Sequence, residues 1–405
     1  MSASLPIGEP SRPKGPALLR LGFRPFFAAA ALYAVIAMGL WWWLLAVVPR
    51  ARVGTGAPVM WHAHEMLFGY AMAVVAGFLL TAVRNWTGLP TPRGGGLAAL
   101  VLLWLAGRLL VWSGDPALAR AAEWINVAFP LALAAAIAVP IWRRRQWVNL
   151  AICGKVALLA LAAWLFHEGL AGRLQYGGYM GRYLALYTIV GLIFMMGRRV
   201  IPFFIERGVE GEVSLRNRRW VDLSSLVLYL AFTAVETLSP LGPASLVPAG
   251  TVLAALLALV HGLRLYDWHT PGIWRRPLLW VLYLAYAWLV AGLALRAAAP
   301  LAGWPLTVAV HAFAAGGIGM MTLGMMARVS LGHTGRDVFQ PPRSVGWMFG
   351  LVLAATLLRV AAAWAGAATL ALIQASQFLW MAAFGLFAVV YLPMLWQPRV
   401  DGGDG

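Results

Sequence analysis

The chain has a single cysteine in 405 residues, Cys153, and it lies inside an apolar run. An internal disulfide, a thiolate-held iron–sulfur cluster and a C-x-x-C-H haem attachment each need more than one cysteine. The sequence therefore excludes all three. It also contains no phosphate-binding loop, nucleophile elbow or dinucleotide fingerprint. The common nucleotide-dependent and serine-hydrolase chemistries thus have no motif to support them.

Charge is scarce as well. Charged residues make up 11% of the chain and hydrophobic residues 62%, whereas a soluble domain carries about 25% charged residues. The 21 tryptophans fit a membrane environment, because indole rings favour the membrane–water interfaces. This composition predicts an integral membrane protein with the lipid bilayer as its main partner.

Acidic residues are the rarest charged group, which leaves a net charge of +17. The arginines are distributed among short loops between apolar runs and do not form one basic patch. Positive loops of this kind are typical of membrane topology and of contact with anionic headgroups. We therefore expect no nucleic-acid partner.

Twelve apolar runs are each close to the ~20 residues that a bilayer requires. They predict an all-α fold, a polytopic membrane bundle of about twelve transmembrane helices. The predicted divisions are a cytoplasmic tail over 1–23, one twelve-helix domain over 24–396 and a second cytoplasmic tail over 397–405. The runs are 25–48, 61–83, 97–113, 121–141, 148–168, 180–203, 220–239, 246–264, 278–298, 304–327, 345–364 and 369–395.

The distribution of basic residues predicts the orientation of the bundle. Most arginines fall in the segments on the same side as the N-terminus, and cytoplasmic segments are the ones enriched in basic residues. An even number of spans then places both termini in the cytoplasm. The outer loops carry six, Arg50, Arg52, Arg120, Arg173, Arg182 and Arg296, and Arg108, Lys155 and Arg359 lie within spans.

Histidines mark the outer half of this predicted bundle. His62, His64 and Glu65 open the second run, and His311 lies two turns into the tenth. His167 ends the fifth run. Ionisable groups at such depths are expensive and are by default functional candidates, so we expect one outer site to gather these residues.

Helix geometry constrains His62 and His64. Two positions apart, they point about 200° apart around an α-helix. Either one ligates and the other contacts a second centre or water, or the first turn is irregular; we expect His64 to face inward. Two solvated interfacial histidines are the alternative. Imidazole suits haem iron, copper and zinc alike, and Glu65 is placed to accept a ligand N–H or to deliver protons.

The glycines that follow His311 have two interpretations. Gly316, Gly317, Gly319 and Gly324 leave room for a flat cofactor beside a ligating histidine, or they let membrane helices pack closely. The sequence leaves both open.

Four blocks resemble the NnrS family. They are LGFRPFF (Leu21 to Phe27), WHAHEMLFGY (Trp61 to Tyr70), AGFLLTAVRNWTG (Ala76 to Gly88) and TLGMMARVSLGHTGR (Thr322 to Arg336). The resemblance implies a twelve-helix protein of the bacterial inner membrane, linked to nitric oxide metabolism and nitrosative-stress defence. It also implies b-type haem and copper as cofactors, nitric oxide or a derived small molecule as ligand, and an electron donor that it does not identify.

With the resemblance, individual residues acquire expected roles. His62, His64 and His311 become candidate cofactor and metal ligands, and His333 becomes a candidate metal-site residue on the inner side. Supporting or proton-path roles are expected for Glu65, Arg24 and Arg336.

The positions of the histidines also resemble the main subunit of the haem-copper oxidases, in which helices 2 and 10 carry ligands. This hypothesis requires helices 2 and 10 to lie close together. Helices 6 and 7 have no histidine, so we do not expect a three-histidine copper site. Two other functions remain open, a multispan transporter and a metal-handling assembly factor without catalytic activity.

Overall fold

The structure is a computed structural model that describes residues 15–48, 53, 57–113 and 115–403. Within these ranges the protein is all-helical, without strands, and twelve helices are long and apolar enough to cross a membrane. The predicted fold class is confirmed. The helices are α1 (Phe23–Ala46), α2 (Pro58–Thr87), α3 (Gly95–Trp112), α4 (Pro116–Arg143), α5 (Trp147–Leu170), α6 (Gly177–Gly208), α7 (Arg219–Leu241), α8 (Leu246–Asp267), α9 (Pro277–Ala302), α10 (Thr307–His333), α11 (Ser344–Trp364) and α12 (Gly366–Trp396).

Some helices extend beyond the apolar runs that predict them. The greatest gain in length is in α6, expected over 180–203 and observed over Gly177–Gly208. The helix continues through Arg207 after the apolar run has ended, because hydropathy detects only the lipid-facing length. Residues 1–14 of the predicted N-terminal tail, and Arg50 and Arg52 of the first outer loop, lie outside the described residues.

The start of α1 and the end of α12 meet. Arg24 is fully buried, and its Nη1 donates to the carbonyl oxygens of Leu395 at 2.8 Å and Gln397 at 2.7 Å. A cation at a helix C-terminus satisfies carbonyls that have no partner within the helix. We call this end of the bundle the termini end and the opposite one the far end.

Helices α2 and α10 each contain a π-helical segment. The segments are Glu65–Ala71 in α2 and Ala312–Gly319 in α10, and each follows directly after a histidine. Such wide turns are rare and occur frequently at functional sites. The hydroxyl group of Tyr70, within the first segment, shares a hydrogen bond with that of Thr322, which follows the second segment. The contact that the oxidase hypothesis requires between helices 2 and 10 is therefore present.

The glycines of α10 serve close packing. A Cβ at Gly316 would collide with Trp288 of α9, one at Gly317 with Leu289, and one at Gly319 with Trp380 of α12. Neighbouring side chains thus fill the space beside these glycines. Of the two interpretations that the sequence leaves open, the structure supports close helix packing at these positions.

Candidate functional site

His62 and His64 diverge at the far end of α2. His64 is 6% exposed and faces α5, whereas His62 lines a cavity that it shares with His311. The turn over Pro58–His64 is regular α-helix, so the two side chains point apart as the helical rotation requires. The expectation of one outer site is therefore wrong, because the histidines form two groups on different sides of α2.

The first group is a pair of imidazoles. The Nε2 atom of His64 lies 3.2 Å from the Nε2 atom of His167, near the end of α5. We call these two residues the imidazole pair. Phe68 and Phe166 pack on the His64 ring and hold its plane.

Glu65 fixes the tautomer of His64. The Nδ1 of His64 is 2.7 Å from Glu65 Oε1, and a carboxylate only accepts, so Nδ1 carries the proton. The Nε2 atom that faces His167 therefore presents a lone pair. Glu65 is 1% exposed, accepts the hydroxyl of Tyr33 at 2.5 Å, and pairs with Arg108 Nε at 3.0 Å. A buried carboxylate requires such partners.

Side chains of α3 also donate hydrogen bonds to backbone carbonyls of the π-helical segment in α2. Arg108 Nη1 donates to the carbonyl of Phe68 at 2.7 Å, and Trp104 Nε1 donates to that of Gly69 at 2.9 Å. A π-helical turn shifts the register of the backbone hydrogen bonds. Carbonyls that lose a backbone donor in this way need another donor, because the membrane interior offers no water. Arg108 thus supports the carboxylate and the irregular helix together.

The donor atoms of the imidazole pair suit a metal ion. Two nitrogen ligands about 2.0 Å from a tetrahedral metal lie about 3.3 Å apart, close to the 3.2 Å between these Nε2 atoms. A carboxylate on the other nitrogen, as Glu65 provides for His64, is the usual support of a ligating histidine. Among the described residues, no group of three or more histidine, cysteine, aspartate or glutamate side chains is placed to hold a metal. The remaining positions would fall to small exogenous ligands.

A small void adjoins the imidazole pair. Its volume is about 40 Å³, and Trp61, Glu123 and Asn126 contribute to its lining. A water molecule needs about 10–15 Å³ by the same kind of measure. The void therefore accommodates molecules of a few atoms only.

The second group lines a larger cavity, of about 250 Å³, between α1, α2, α6 and α10–α12. We call it the histidine cavity. His311 Nδ1 donates to the carbonyl of Thr307 at 2.7 Å, which leaves its Nε2 as an acceptor or ligand. His62 stacks on Trp41, with 4.7 Å between ring centroids. Both rings are thus held in fixed orientations.

The polar lining of the histidine cavity is basic. Arg182 and Arg359 contribute to it, and none of the described lining residues is acidic. Gln377 also lines it, and both polar atoms of its side chain are buried without a hydrogen-bond partner among the described residues. Unsatisfied buried groups are costly, so this lining fits a ligand with anionic or hydrogen-bonding groups.

The other predicted site residues lie at the termini end. Arg24 binds the last carbonyls of α12, and Arg336 Nη2 donates to Gln397 Oε1 at 3.4 Å. Both are separated from Glu65 by the length of the bundle. The structure therefore does not bring Arg24 or Arg336 together with the two histidine groups.

His333 also lies at the termini end. Its Nε2 is 3.4 Å from Asn85 Nδ2, and its ring packs against Phe23. Arg399 donates to the His333 carbonyl at 3.2 Å and holds the pKa of Asp401 below its usual range through a direct ion pair. These contacts attach the C-terminal segment to the end of α10.

Sequence reasoning left several residues of the two groups unassigned. His167 was expected near the outer site but was not among the predicted ligands, and neither Arg108 nor Gln377 was expected there. Arg108 had a detectable signal, since it is a basic residue within a span at the same predicted depth as the acidic Glu65. Gln377 had none, because a single amide in an apolar run is unremarkable.

Comparison with known families identifies the chain. The family model described as NnrS protein matches residues 17–399 of the 405. No curated protein sequence matches the chain significantly. The family is known for metal cofactors, and membership suggests a membrane protein related to nitric oxide. Since the match covers all twelve membrane-spanning helices, the protein belongs to the NnrS family.

Proposed function

We propose that this protein is a haem- and copper-containing protein of the bacterial inner membrane that handles nitric oxide or its metal adducts in nitrosative-stress defence. The far end of the bundle faces outward in this proposal, and both termini are cytoplasmic. One observation carries it: His62 and His64 point to opposite sides of α2, and each belongs to a group with an imidazole from another helix.

The residues of the histidine cavity fit a b-type haem. His62 and His311 would hold the iron through ring nitrogens, and the sequence has no C-x-x-C-H motif for covalent attachment. Arg182 and Arg359 would pair with the propionates, for which the arginine fork is well suited. Gln377 would gain a partner for its buried amide.

The imidazole pair fits copper. Neutral imidazole is a good copper ligand, and Glu65 holds His64 with its Nε2 free. The void beside the pair has space for a diatomic molecule such as nitric oxide. The haem and the copper would supply redox chemistry and a binding position for nitric oxide. The protein's own residues orient the ligands, exclude bulk water and limit the size of what enters.

Spectroscopy of the purified protein tests the proposal. We expect a Soret band that shifts when nitric oxide is added, because the gas would replace one of the two imidazoles on the haem iron. The variants His62→Ala and His311→Ala should lose the band, whereas the control His269→Ala, at an exposed position on the termini end, should keep it.

A preparation without a Soret band would decide against the proposal. A colourless, metal-free preparation that still protects cells from nitric oxide would contradict a haem protein. It would favour transport of an anionic molecule through the basic histidine cavity.

A further inference from the structure

A second basic cavity lies at the termini end, far from both histidine groups. Its volume is about 320 Å³, and it is enclosed by the start of α9, the end of α10 and the loop that leads into α11. Four arginines contribute to its lining, Arg275, Arg276, Arg328 and Arg343.

The positive charge in this cavity is only partly compensated. None of the described lining residues is acidic, and Arg276 is the only one of the four arginines that forms an ion pair with a described residue, at 3.0 Å to the exposed Glu210. The guanidinium of Arg328 lies 3.9 Å from the centre of the Phe204 ring, which holds it in place. Like charges gathered in a partly enclosed space repel one another, so an anion bound here would stabilise the arrangement.

Two helix N-termini add to the positive potential. Helix α9 begins at Pro277 and α11 begins at Ser344, each directly after one of the lining arginines. The N-terminus of a helix carries partial positive charge and favours anions, phosphate in particular. Arginine side chains bind phosphate oxygens in a bidentate manner. The donor set is therefore suited to a phosphate group.

The surroundings indicate that the phosphate belongs to a lipid. Leu278, Leu279 and Val338 form apolar walls of the cavity. Phe339, also in the lining, is 49% exposed, and Trp347, next to the lining residue Gly346, is 75% exposed. Exposed aromatic side chains at the end of a helix bundle are typical of the membrane interface. A lipid headgroup would reach the arginines while its acyl chains stayed in the bilayer.

We propose that this cavity binds the phosphate of an anionic phospholipid from the leaflet at the termini end. Basic pockets between membrane helices on the cytoplasmic side are suited to such headgroups. The bound lipid bridges α9, α10 and α11 and offsets the repulsion between their arginines. The proposal is independent of any metal or haem in the far half.

Thermal unfolding of the full-length protein in neutral detergent tests it. Phosphatidylglycerol added to the micelles should raise the Tm of the wild type, and phosphatidylcholine should not. In the double variant Arg275→Gln/Arg343→Gln this increase should fall by about half or more, because two of the four guanidinium groups are gone. Both positions are exposed, so the variant should fold. The control Arg143→Gln removes an exposed arginine at the same end, on α4, and should respond like the wild type.

Three outcomes would overturn the proposal. Equal increases with phosphatidylcholine would show that no anionic headgroup is recognised, and an undiminished increase in the double variant would place the lipid elsewhere. If inorganic phosphate alone reproduced the increase and the variant abolished it, the cavity would bind free phosphate and the lipid assignment would be wrong.

Discussion

The Nε2 atoms of His64 and His167 face each other at 3.2 Å, one on α2 and the other on α5. The opposite nitrogen of His64 is bound to Glu65, so the lone pair of His64 points at His167. Without a metal, a single N–H···N hydrogen bond from His167 joins the two rings. If a metal were bound, both rings would hold it through Nε2, and the proton on the Nε2 atom of His167 would move to its Nδ1 atom.

The variant Glu65→Gln tests whether Glu65 strengthens His64 as a metal ligand. Glutamine retains an acceptor for the His64 N–H but loses the negative charge that increases the basicity of the ring. We expect copper affinity to fall by about 10–100-fold with the haem content unchanged, measured by competition with a copper chelator. Unchanged copper affinity in this variant would show that Glu65 does not support a ligand.

Arg108 should be a major contributor to stability. Its side chain and that of Glu65 are almost fully buried and 3.0 Å apart. Arg108→Gln leaves the carboxylate without its cation, and breaking such a pair costs about 3–5 kcal/mol. The Tm of Arg108→Gln should therefore be much lower than that of the wild type.

The double variant Glu65→Gln/Arg108→Gln provides the matched control. Because it removes both charges, it should be less destabilised than Arg108→Gln alone. Additive losses in the two single variants would mean that the side chains act independently, contrary to their short contact.

Gln377 allows a prediction about the histidine cavity. Its amide has no partner among the described residues, so Gln377→Leu removes a buried polar group at no loss of protein hydrogen bonds. The cofactor-free protein should be as stable as the wild type or slightly more stable. The purified variant should nevertheless contain less haem per protein. A variant with full haem content would show that the amide does not face the cofactor.

The packing of α10 against α9 gives a prediction that involves no cofactor. Gly317→Ala places a methyl group against Leu289, and overpacking of this kind costs about 1–3 kcal/mol. Gly350→Ala in α11 is the control, since a Cβ there meets nothing within 4 Å. We expect a lower Tm for the first variant and an unchanged or higher Tm for the second. Equal Tm values would mean that the helices separate easily at this point.

The sequence was sufficient for the fold class and for the divergence of His62 and His64. Apolar runs of bilayer length predict membrane helices directly, and a rotation of 100° per residue separates positions two apart. The pairing of helices is different, because most surfaces in a membrane bundle are apolar and hydropathy does not identify neighbours. Depth alone therefore grouped His64 with both His167 and His311, whereas packing places it against His167 and separates it from His311.

The residues that support the imidazole pair could not be predicted from the sequence, for a related reason. Arg108 could be recognised as a charge within a span, but its contact with Glu65 depends on α3 lying beside α2. The π-helical segments over Glu65–Ala71 and Ala312–Gly319 have no sequence signature that distinguishes them from regular helix. The contact of Arg108 with Glu65 in particular depends on helix packing that the local sequence pattern does not contain.

The central claim is that α2 separates two metal centres, and metal analysis of four variants tests it most directly. Copper and haem should be measured per protein in His64→Ala, His167→Ala, His62→Ala and His311→Ala. We expect the first two variants to lose copper and keep the Soret band, and the last two to lose the Soret band and keep copper. Parallel loss of both metals in all four folded variants, or loss of haem in His167→Ala with copper retained, would contradict it.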